Sequence, residues 1–170
     1  MDWRDPPRSG CGLNLTLAAI GRLKPNEPEY ILTQDWLRRA DQAGRPLGLR
    51  GVRHLELDPK LPQPDRDKEA AAFLANLDKA ALVVALDEHG ANMGSVPFSA
   101  QLIQWRDRGE REVVLAVGGP DGHGEALLRA ATMTLSFGSW TWPHKLARAM
   151  AAEQIYRAIS IMAGTPYHRV

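Results

Sequence analysis

Apolar residues occur along the chain in two arrangements, either alternating with polar residues or in short continuous runs. Residues 13–20 alternate at first and then become apolar, and residues 52–58 alternate throughout, which is typical of strands. Residues 81–87 and 113–117 are continuous apolar runs, as expected of parallel strands that are covered on both faces. The short segment 133–137 predicts a fifth strand.

Helical spacing of apolar residues, or a composition rich in Ala, Leu and Glu, fills the intervals between these strands. The predicted helices span residues 30–43, 67–80, 99–108, 125–131 and 144–162. Ser99 is expected to be the N-cap of the third helix. Segments with proline or glycine predict loops at residues 21–28, 59–65 and 90–97. Strands and helices thus alternate, which predicts an α/β fold with a largely parallel sheet.

The length of 170 residues is typical of one domain. Residues 1–12, rich in proline and charge, predict a poorly ordered N-terminal extension, and residues 13–170 predict a single domain. The extension lacks the apolar core of a signal peptide, and no stretch approaches the roughly 18 apolar residues of a membrane span. The single cysteine, Cys11, excludes an internal disulfide, so a reducing, cytoplasmic location is expected.

Charge and motifs exclude several function classes. The chain has 21 basic and 20 acidic residues and a net charge of +1, without the basic excess of most nucleic-acid-binding proteins. No two histidines have the i,i+4 spacing of a helical metal site, so no bound metal is expected. The glycine fingerprint of dinucleotide-binding proteins, the phosphate-binding loop of ATPases and the serine-hydrolase elbow do not occur.

Three segments follow predicted strands and would meet at one edge of the sheet, where parallel α/β proteins bind ligands. They are residues 86–90, the Gly-Gly-Pro-Asp-Gly segment 118–122, and the aromatic segment 137–142. The glycines would let the backbone approach a ligand, although a tight turn explains them equally well. The aromatic segment could enclose a purine and a thioether, whereas a core or subunit contact would explain Trp140 and Trp142 equally well.

The last predicted helix and the residues after it offer further candidates. Glu153 and Arg157 have the i,i+4 spacing and order of an ion pair, which is usually solvated. An apolar stripe along this helix is typical of a core or subunit contact. The chain ends in Thr-Pro-Tyr-His-Arg-Val, residues 165–170, and the ordinary expectation for such a terminus is fraying.

Four segments occur in a distinctive order and spacing: Val-Gly-Gly-Pro-Asp-Gly at 117–122, Trp-Pro-His at 142–144, Glu-Gln-Ile-Tyr-Arg-Ala at 153–158 and Pro-Tyr-His-Arg at 166–169. Together they resemble the RlmH family, ribosomal RNA methyltransferases of the knotted SPOUT class. The first strand and the Gly-Arg-Leu-Lys of residues 21–24 also resemble the start of that family, so the match runs from about residue 13 to 169. Asp121 stands where many members have glutamate, and residues 90–96 match the family less well.

The resemblance implies a fold, a cofactor and an assembly. The fold is an α/β knot with a mostly parallel sheet of five to six strands and a C-terminal trefoil knot. The assembly is a homodimer with the cofactor site near the subunit interface. The cofactor is S-adenosyl-L-methionine, and the residues implied to hold it are Leu86, Gly118, Gly119, Phe137, Gly138, Ser139, Trp140, Thr141 and Trp142.

The resemblance also implies a reaction, the methylation of N3 of a pseudouridine in 23S ribosomal RNA within the assembled 70S ribosome. His168 is the candidate for removing the N3 proton or orienting the base, because imidazole titrates near neutral pH. Tyr167 could stack on the base, Arg169 could contact a phosphate or a developing oxyanion, and Arg157 could act with them or brace the tail. Basic residues that could contact phosphates, or could simply be solvated, are Arg22, Lys24, Arg129, Arg148 and Arg169.

Two alternatives remain open at this stage. One is another SPOUT methyltransferase that acts on tRNA or a different rRNA site. The other is a non-enzymatic α/β module that keeps the pocket in order to sense a nucleotide.

Overall fold

The computed structural model describes residues 12–169. Its strands are β1 (Leu13–Ile20), β2 (Leu49–Leu57), β3 (Leu82–Ala91), β4 (Glu112–Val117) and β5 (Met133–Leu135). Its helices are α1 (Pro28–Gly44), α2 (Arg66–Asn76), α3 (Ser95–Asp107), α4 (Glu125–Ala130) and α5 (His144–Ala163), and a single 3-10 turn, Arg45–Leu47, lies between α1 and β2. Apart from Gly12, the predicted N-terminal extension lies outside the described residues.

The sheet is fully parallel, with the strand order β2-β1-β4-β3-β5. This confirms the predicted α/β class with a mostly parallel sheet. Leu86 of β3 pairs with Val117 of β4 on one side and with Leu135 of β5 on the other. The carboxyl ends of these three strands therefore lie side by side.

Helices cover both faces of the sheet, and β1 shows how the sequence specifies this. All eight residues of β1 are buried. Leu15 and Leu17 belong to a core with residues of α1, α3 and α5, while Ala18 and Ile20 belong to a second core with residues of α2 and α4. Because successive side chains of a strand point to opposite faces, a strand covered on both faces is mostly apolar, and in β1 only Asn14 and Thr16 are polar.

Two predicted helix boundaries are wrong for local reasons. Helix α2 ends at Asn76 rather than at residue 80, because Leu77 is extended and the Asp78 carboxylate accepts the amide of Ala80 at 2.8 Å in a turn. Helix α3 begins at Ser95, so Ser99 is not its N-cap. Ser99 is buried, and its hydroxyl donates to the carbonyl of Ala158 at 2.7 Å, joining α3 to α5.

Strand bounds also differ from prediction at the edge of the sheet. Strand β3 continues to Ala91, which pairs with Leu135 after an irregularity, so the predicted loop of residues 90–97 is shorter at both ends. Strand β5 ends at Leu135 instead of residue 137. None of the helices within residues 12–169 is long and apolar enough to cross a membrane. The C-terminal trefoil knot stays a prediction.

Candidate active site

A cleft of about 220 Å³ lies at the carboxyl ends of β3, β4 and β5. Leu86 of β3, Leu115 of β4 and Leu135 of β5 contribute to its lining. The remaining lining residues are Asn92, Met93, Gly94, Ser95, Phe98, Ser136, Phe137 and Gln154. Of the residues predicted to hold a cofactor, the structure thus places Leu86 and Phe137 on the cleft.

The segment between β3 and α3, together with the first residue of α3, contributes four residues that the sequence interpretation missed. Asn92, Met93, Gly94 and Ser95 all line the cleft, and Asn92 and Ser95 supply polar groups. The position of this segment, directly after a strand that ends at the ligand edge, was the available signal. The preceding Gly90 is required by packing, because a β-carbon there would lie 2.5 Å from the carbonyl carbon of Leu135.

A larger groove of about 980 Å³ lies elsewhere, along the amino ends of β1 and β4. It is lined by charges of both signs, including Arg53, Arg111, Glu112 and Asp78. Ligands of parallel α/β sheets bind at the opposite, carboxyl edge. The smaller cleft is therefore the candidate active site.

The glycines of residues 118–122 are needed for packing within the protein itself. A β-carbon on Gly118 would lie 2.9 Å from the carbonyl group of Gly122, and one on Gly119 would lie 2.8 Å from Oε2 of Glu69. Gly122 has a left-handed backbone, with φ of +77°, and its amide donates to the carbonyl of Gly119 at 3.1 Å. The tight-turn explanation of these glycines therefore holds for all three.

Glu69 of α2 supports this glycine loop from the face opposite the cleft. Its side chain is buried with the second core, and Oε2 has no hydrogen-bond partner among the described residues. Burial, followed by the nearby charge of Asp121, raises the pKa of the Glu69 carboxyl, while the Gly119 amide opposes that shift. No periodicity in the sequence points to this contact, because the two residues lie on separate elements.

The aromatic segment after β5 holds its shape through internal hydrogen bonds. The Ser136 hydroxyl donates to the carbonyl of Gly138 at 2.8 Å and accepts the amide of Gly138 at 3.1 Å. The indole of Trp142 donates to the carbonyl of Phe137 at 3.4 Å. Trp140 is 75% exposed, so its explanation as a core residue is wrong. Gly138, Ser139, Trp140, Thr141 and Trp142 do not line the cleft.

The C-terminal residues are folded back onto α5, so the expectation of a frayed terminus is wrong through His168. The Tyr167 hydroxyl donates to Oε1 of Glu153 at 2.8 Å, and the Arg157 guanidinium lies over the Tyr167 ring at 4.8 Å. Arg157 also lies 3.3 Å from Nδ1 of His168. The structure thus brings together three predicted site residues, while Arg169 is exposed.

The environment of Tyr167 disfavours ionisation of its hydroxyl. Burial and the hydrogen bond to Glu153 raise the pKa of Tyr167 to about 12, so the hydroxyl stays a donor even at alkaline pH values at which an exposed tyrosine ionises. The same carboxylate raises the pKa of Arg157. The Tyr167 ring also packs edge-on against Tyr156 at 4.9 Å and lies 5.6 Å from Trp36 of α1. The tail is therefore anchored by aromatic packing as well as by charge.

Comparison with known proteins decides the family. Residues 13–168 match the family model described as "Predicted SPOUT methyltransferase". Proteins named "Ribosomal RNA large subunit methyltransferase H" are 44% identical in Hyphomonas neptunium and 45% identical in Maricaulis maris. Each alignment covers 92% of this chain and 99% of the relative. The chain belongs to the RlmH family of SPOUT methyltransferases. This confirms the resemblance seen in the sequence.

One predicted phosphate contact of this RlmH-family protein is wrong. The Arg148 side chain is 1% exposed. It bonds Glu56 at 2.9 Å and donates to the carbonyls of Ile20 and Gly21 at 2.7 and 3.0 Å. Arg148 therefore connects the carboxyl end of β1 to the first turns of α5 and is not available to contact RNA.

The described residues around the RlmH-family cleft supply hydrogen-bonding groups and apolar surface. Among residues 12–169, no group of three or more His, Cys, Asp or Glu side chains could hold a metal ion. The polar groups at the cleft are amides and hydroxyls from Asn92, Ser95, Ser136 and Gln154. Such groups can bind and orient a ligand by hydrogen bonds, and the leucine and phenylalanine side chains can enclose its apolar parts.

Proposed function

We propose that this chain transfers a methyl group from S-adenosyl-L-methionine to large-subunit ribosomal RNA. The observation that carries the proposal is the cleft at the carboxyl ends of β3, β4 and β5, in a chain of the RlmH family. The names of the relatives support ribosomal RNA as the substrate. The near-neutral net charge fits recognition by shape over an assembled particle rather than by a basic patch.

The donor is proposed to occupy the cleft and the two loops beside it. Typical small-molecule sites have volumes of about 300–1,000 Å³, so the cleft alone fits one end of the donor. We assign the adenosine end to the surface between Leu86 and Phe137, next to the polar groups of Asn92 and Gln154. The backbone of Gly118 and Gly119 and residues 138–142 would hold the rest.

The finer proposal for the acceptor is N3 of a pseudouridine in 23S rRNA, methylated in the assembled 70S ribosome. N3 lies on the pairing edge of the base, so the target must be unpaired or extruded from its helix. The donor supplies a methyl group already activated on a sulfonium. The protein's own contribution is then alignment of the two reactants and exclusion of water.

His168 is proposed to orient the target base. Arg157 can only donate, so its contact with Nδ1 requires that nitrogen to accept, which leaves the ring proton on Nε2. In this arrangement Nε2 donates to an oxygen of the base, and His168 cannot take the N3 proton there without rearranging. The Tyr167 ring already packs against Arg157 and Tyr156, so we propose that it anchors the tail rather than stacking on the base. Arg169, which is exposed, is proposed to contact a phosphate or a developing oxyanion.

A homodimer located in the cytoplasm, where ribosomes are found, completes the proposal. Ile31 and Leu32 of α1 are 57% and 45% exposed, and Trp140 beside the cleft is 75% exposed. Contiguous exposed apolar patches mark subunit contacts, and we propose that these three side chains belong to one such patch. A second copy covering them would also enclose the donor loops.

Two measurements on the purified protein test the proposal. Isothermal titration with S-adenosyl-L-methionine should give saturable binding, and labelled methyl groups should enter 23S rRNA when 70S ribosomes are supplied. Primer extension then locates the product, because an N3 methyl blocks base pairing and stops the polymerase. Binding without incorporation into ribosomes or tRNA would favour a nucleotide-sensing module, and incorporation into tRNA alone would favour another SPOUT activity.

A further inference from the structure

We infer that the groove at the amino ends of β1 and β4 is a second contact surface for ribosomal RNA, separate from the donor cleft. This inference deepens the proposed function and rests on it for the identity of the partner. The cleft lies at the opposite, carboxyl edge of the same sheet. Strand β1 has eight residues, so at about 3.3 Å per residue the two surfaces lie roughly 25 Å apart. A large RNA can reach both.

The groove lies over a part of the sheet that the helices leave open. On the face covered by α2 and α4, Ala18 and Ile20 of β1 belong to the second core. Asn14 and Thr16 lie on the same face, nearer the amino end of the strand, and line the groove instead. With about 980 Å³, the groove is at the upper end of the range of about 300–1,000 Å³ for ligand sites. It is therefore large enough to admit part of an RNA strand.

Unpaired basic side chains concentrate at this groove. Arg50, Arg53 and Arg111 line it, and none of them forms a side-chain hydrogen bond or ion pair within residues 12–169. Lys79 and Arg108 are exposed, equally unpaired among those residues, and adjacent in sequence to lining residues. By contrast, the basic residues of α1 and α4 are paired with carboxylates of their own helix. Cations that the protein itself does not neutralise are available to phosphates.

The carboxylates of the groove take part in the protein's own hydrogen bonds. The Glu112 carboxylate accepts the Thr16 hydroxyl at 2.6 Å, and that of Asp78 accepts the Ala80 amide at 2.8 Å. With Glu110, three carboxylates line the groove beside four arginines. A lining of both signs disfavours a plain polyanion. It favours a ligand that joins phosphates to hydrogen-bond donors, as RNA does through its bases and 2′-hydroxyls.

Polar groups on the floor and wall of the groove lack partners within the protein. Asn14 is 6% exposed, and its side-chain amide makes no hydrogen bond within residues 12–169. Nη2 of Arg50 is buried and has no partner in that part of the chain. Because a buried polar group without a partner costs free energy, a ligand that supplies the missing hydrogen bonds gains affinity. The groove thus offers an RNA strand both charge and unfilled hydrogen bonds.

The test compares Arg53→Gln/Arg111→Gln with Arg38→Gln/Arg39→Gln. The second pair is a matched control, because it removes the same charge from α1, away from the groove, at side chains that are 59% and 47% exposed. Fluorescence anisotropy measures binding of a labelled single-stranded RNA at a series of salt concentrations. The groove variant should bind about tenfold more weakly at low salt, and the control should stay within about twofold of the wild type. The groove variant should also lose about 1.4 from its salt slope, since each phosphate contact on a single strand contributes about 0.7.

Methylation of 70S ribosomes separates docking from catalysis. In Arg53→Gln/Arg111→Gln, the KM for ribosomes should rise by about tenfold, while kcat and the donor Kd change less than about twofold, because the cleft is untouched. Lys79→Gln/Arg108→Gln should weaken RNA binding in the same direction by a smaller factor. This variant alters only exposed side chains and serves if the first does not fold.

The outcomes are distinct for the two proposals. Equal RNA affinity of the groove and control variants would overturn the second surface, as would a wild type that does not bind the RNA. Gly12 lines the groove, so residues 1–11 are the alternative occupant. A chain without them that keeps its RNA affinity would support the groove, and one that loses it would assign the RNA contact to that segment instead. If the wild type binds RNA through the groove but methylates no ribosome, the proposed function fails and the RNA surface stands.

Discussion

The carboxylate of Glu69 lies against the backbone of Gly119, where an added β-carbon would come within 2.8 Å of Oε2 and 2.9 Å of Oε1. Gly119→Ala should therefore displace either the glycine loop or the buried carboxylate. We expect the free energy of unfolding to fall by about 1–3 kcal/mol, as for other overpacked sites. Because the loop is proposed to hold the donor, the donor Kd should rise by about tenfold. Urea unfolding and isothermal titration measure the two effects.

A double-mutant cycle tests whether Glu69 is the cause. Gly119→Ala should be less damaging when Glu69→Ala is also present, because the obstructing carboxylate is gone. Gly51→Ala is the matched control, since its β-carbon would meet Asp41 at an ordinary 3.7 Å. Strictly additive effects of the two substitutions would show that the contact does not govern the loop.

A second prediction concerns the exposed apolar face of α1. Ile31→Asp should convert the proposed dimer to monomer, because a carboxylate would have to be desolvated in the subunit contact. Leu74→Asp on α2 is the control, as Leu74 is also an exposed large apolar residue, at 41% against 57% for Ile31. Analytical ultracentrifugation over a range of concentrations measures the change. Equal behaviour of both variants would mean that α1 does not form the contact.

Much of the fold was predictable because its signal is local. Burial on both faces makes a parallel strand apolar throughout. The run at 113–117 therefore identifies β4 to within one residue, and the run at 81–87 identifies the first part of β3, which continues to Ala91. The ends of the helices were harder to predict. Pro97 suggested a loop, but it lies in the first turn of α3, where proline is tolerated. Helix α2 ends before the predicted residue 80 because Leu77 and Asp78 form a turn, and the spacing of apolar residues does not reveal such a turn.

The candidate site was predictable only in part, because much of it depends on contacts between distant segments. The resemblance pointed to Leu86 and Phe137, which line the cleft. It did not point to Glu69, whose partner Gly119 lies on another element. The spacing of residues in the sequence also could not show that Arg148 is buried. Its burial depends on hydrogen bonds to Glu56 and to a backbone carbonyl at the end of β1, and these partners are distant in the sequence.

Arg148 provides a third prediction. Arg148→Met should lower the free energy of unfolding by about 3–5 kcal/mol, because Glu56 and the carbonyls of Ile20 and Gly21 would lose their buried donor. Arg148→Lys should restore only part of this, since an ammonium cannot reproduce the planar set of donors. Arg129→Met, at an exposed pair, should cost less than about 1 kcal/mol. Similar losses in the two Met variants, measured by urea unfolding, would contradict the prediction.

His54 gives a prediction about acid stability. Burial, and then the charge of Arg148, lowers the pKa of His54 to about 4, from a reference value of 6.5. Its Nδ1 lies 2.9 Å from the side-chain amide nitrogen of Gln34, which can only donate, so the neutral ring carries its proton on Nε2. Nε2 is buried and has no partner among the described residues. A charged ring is therefore strongly disfavoured in the folded state.

The direction of the pH effect follows from proton uptake. Between pH 6.5 and about 4 the unfolded chain binds a proton at His54 that the folded chain does not, so stability present above pH 6.5 is lost as the pH falls. The loss should amount to about 3 kcal/mol over this range. His54→Asn keeps an acceptor for Gln34 without a titrating ring, so its unfolding free energy should vary less with pH. His89→Asn, at a side chain that is 85% exposed, should keep the wild-type slope. If urea unfolding at a series of pH values gives His54→Asn the wild-type slope, His54 is not the group that limits acid stability.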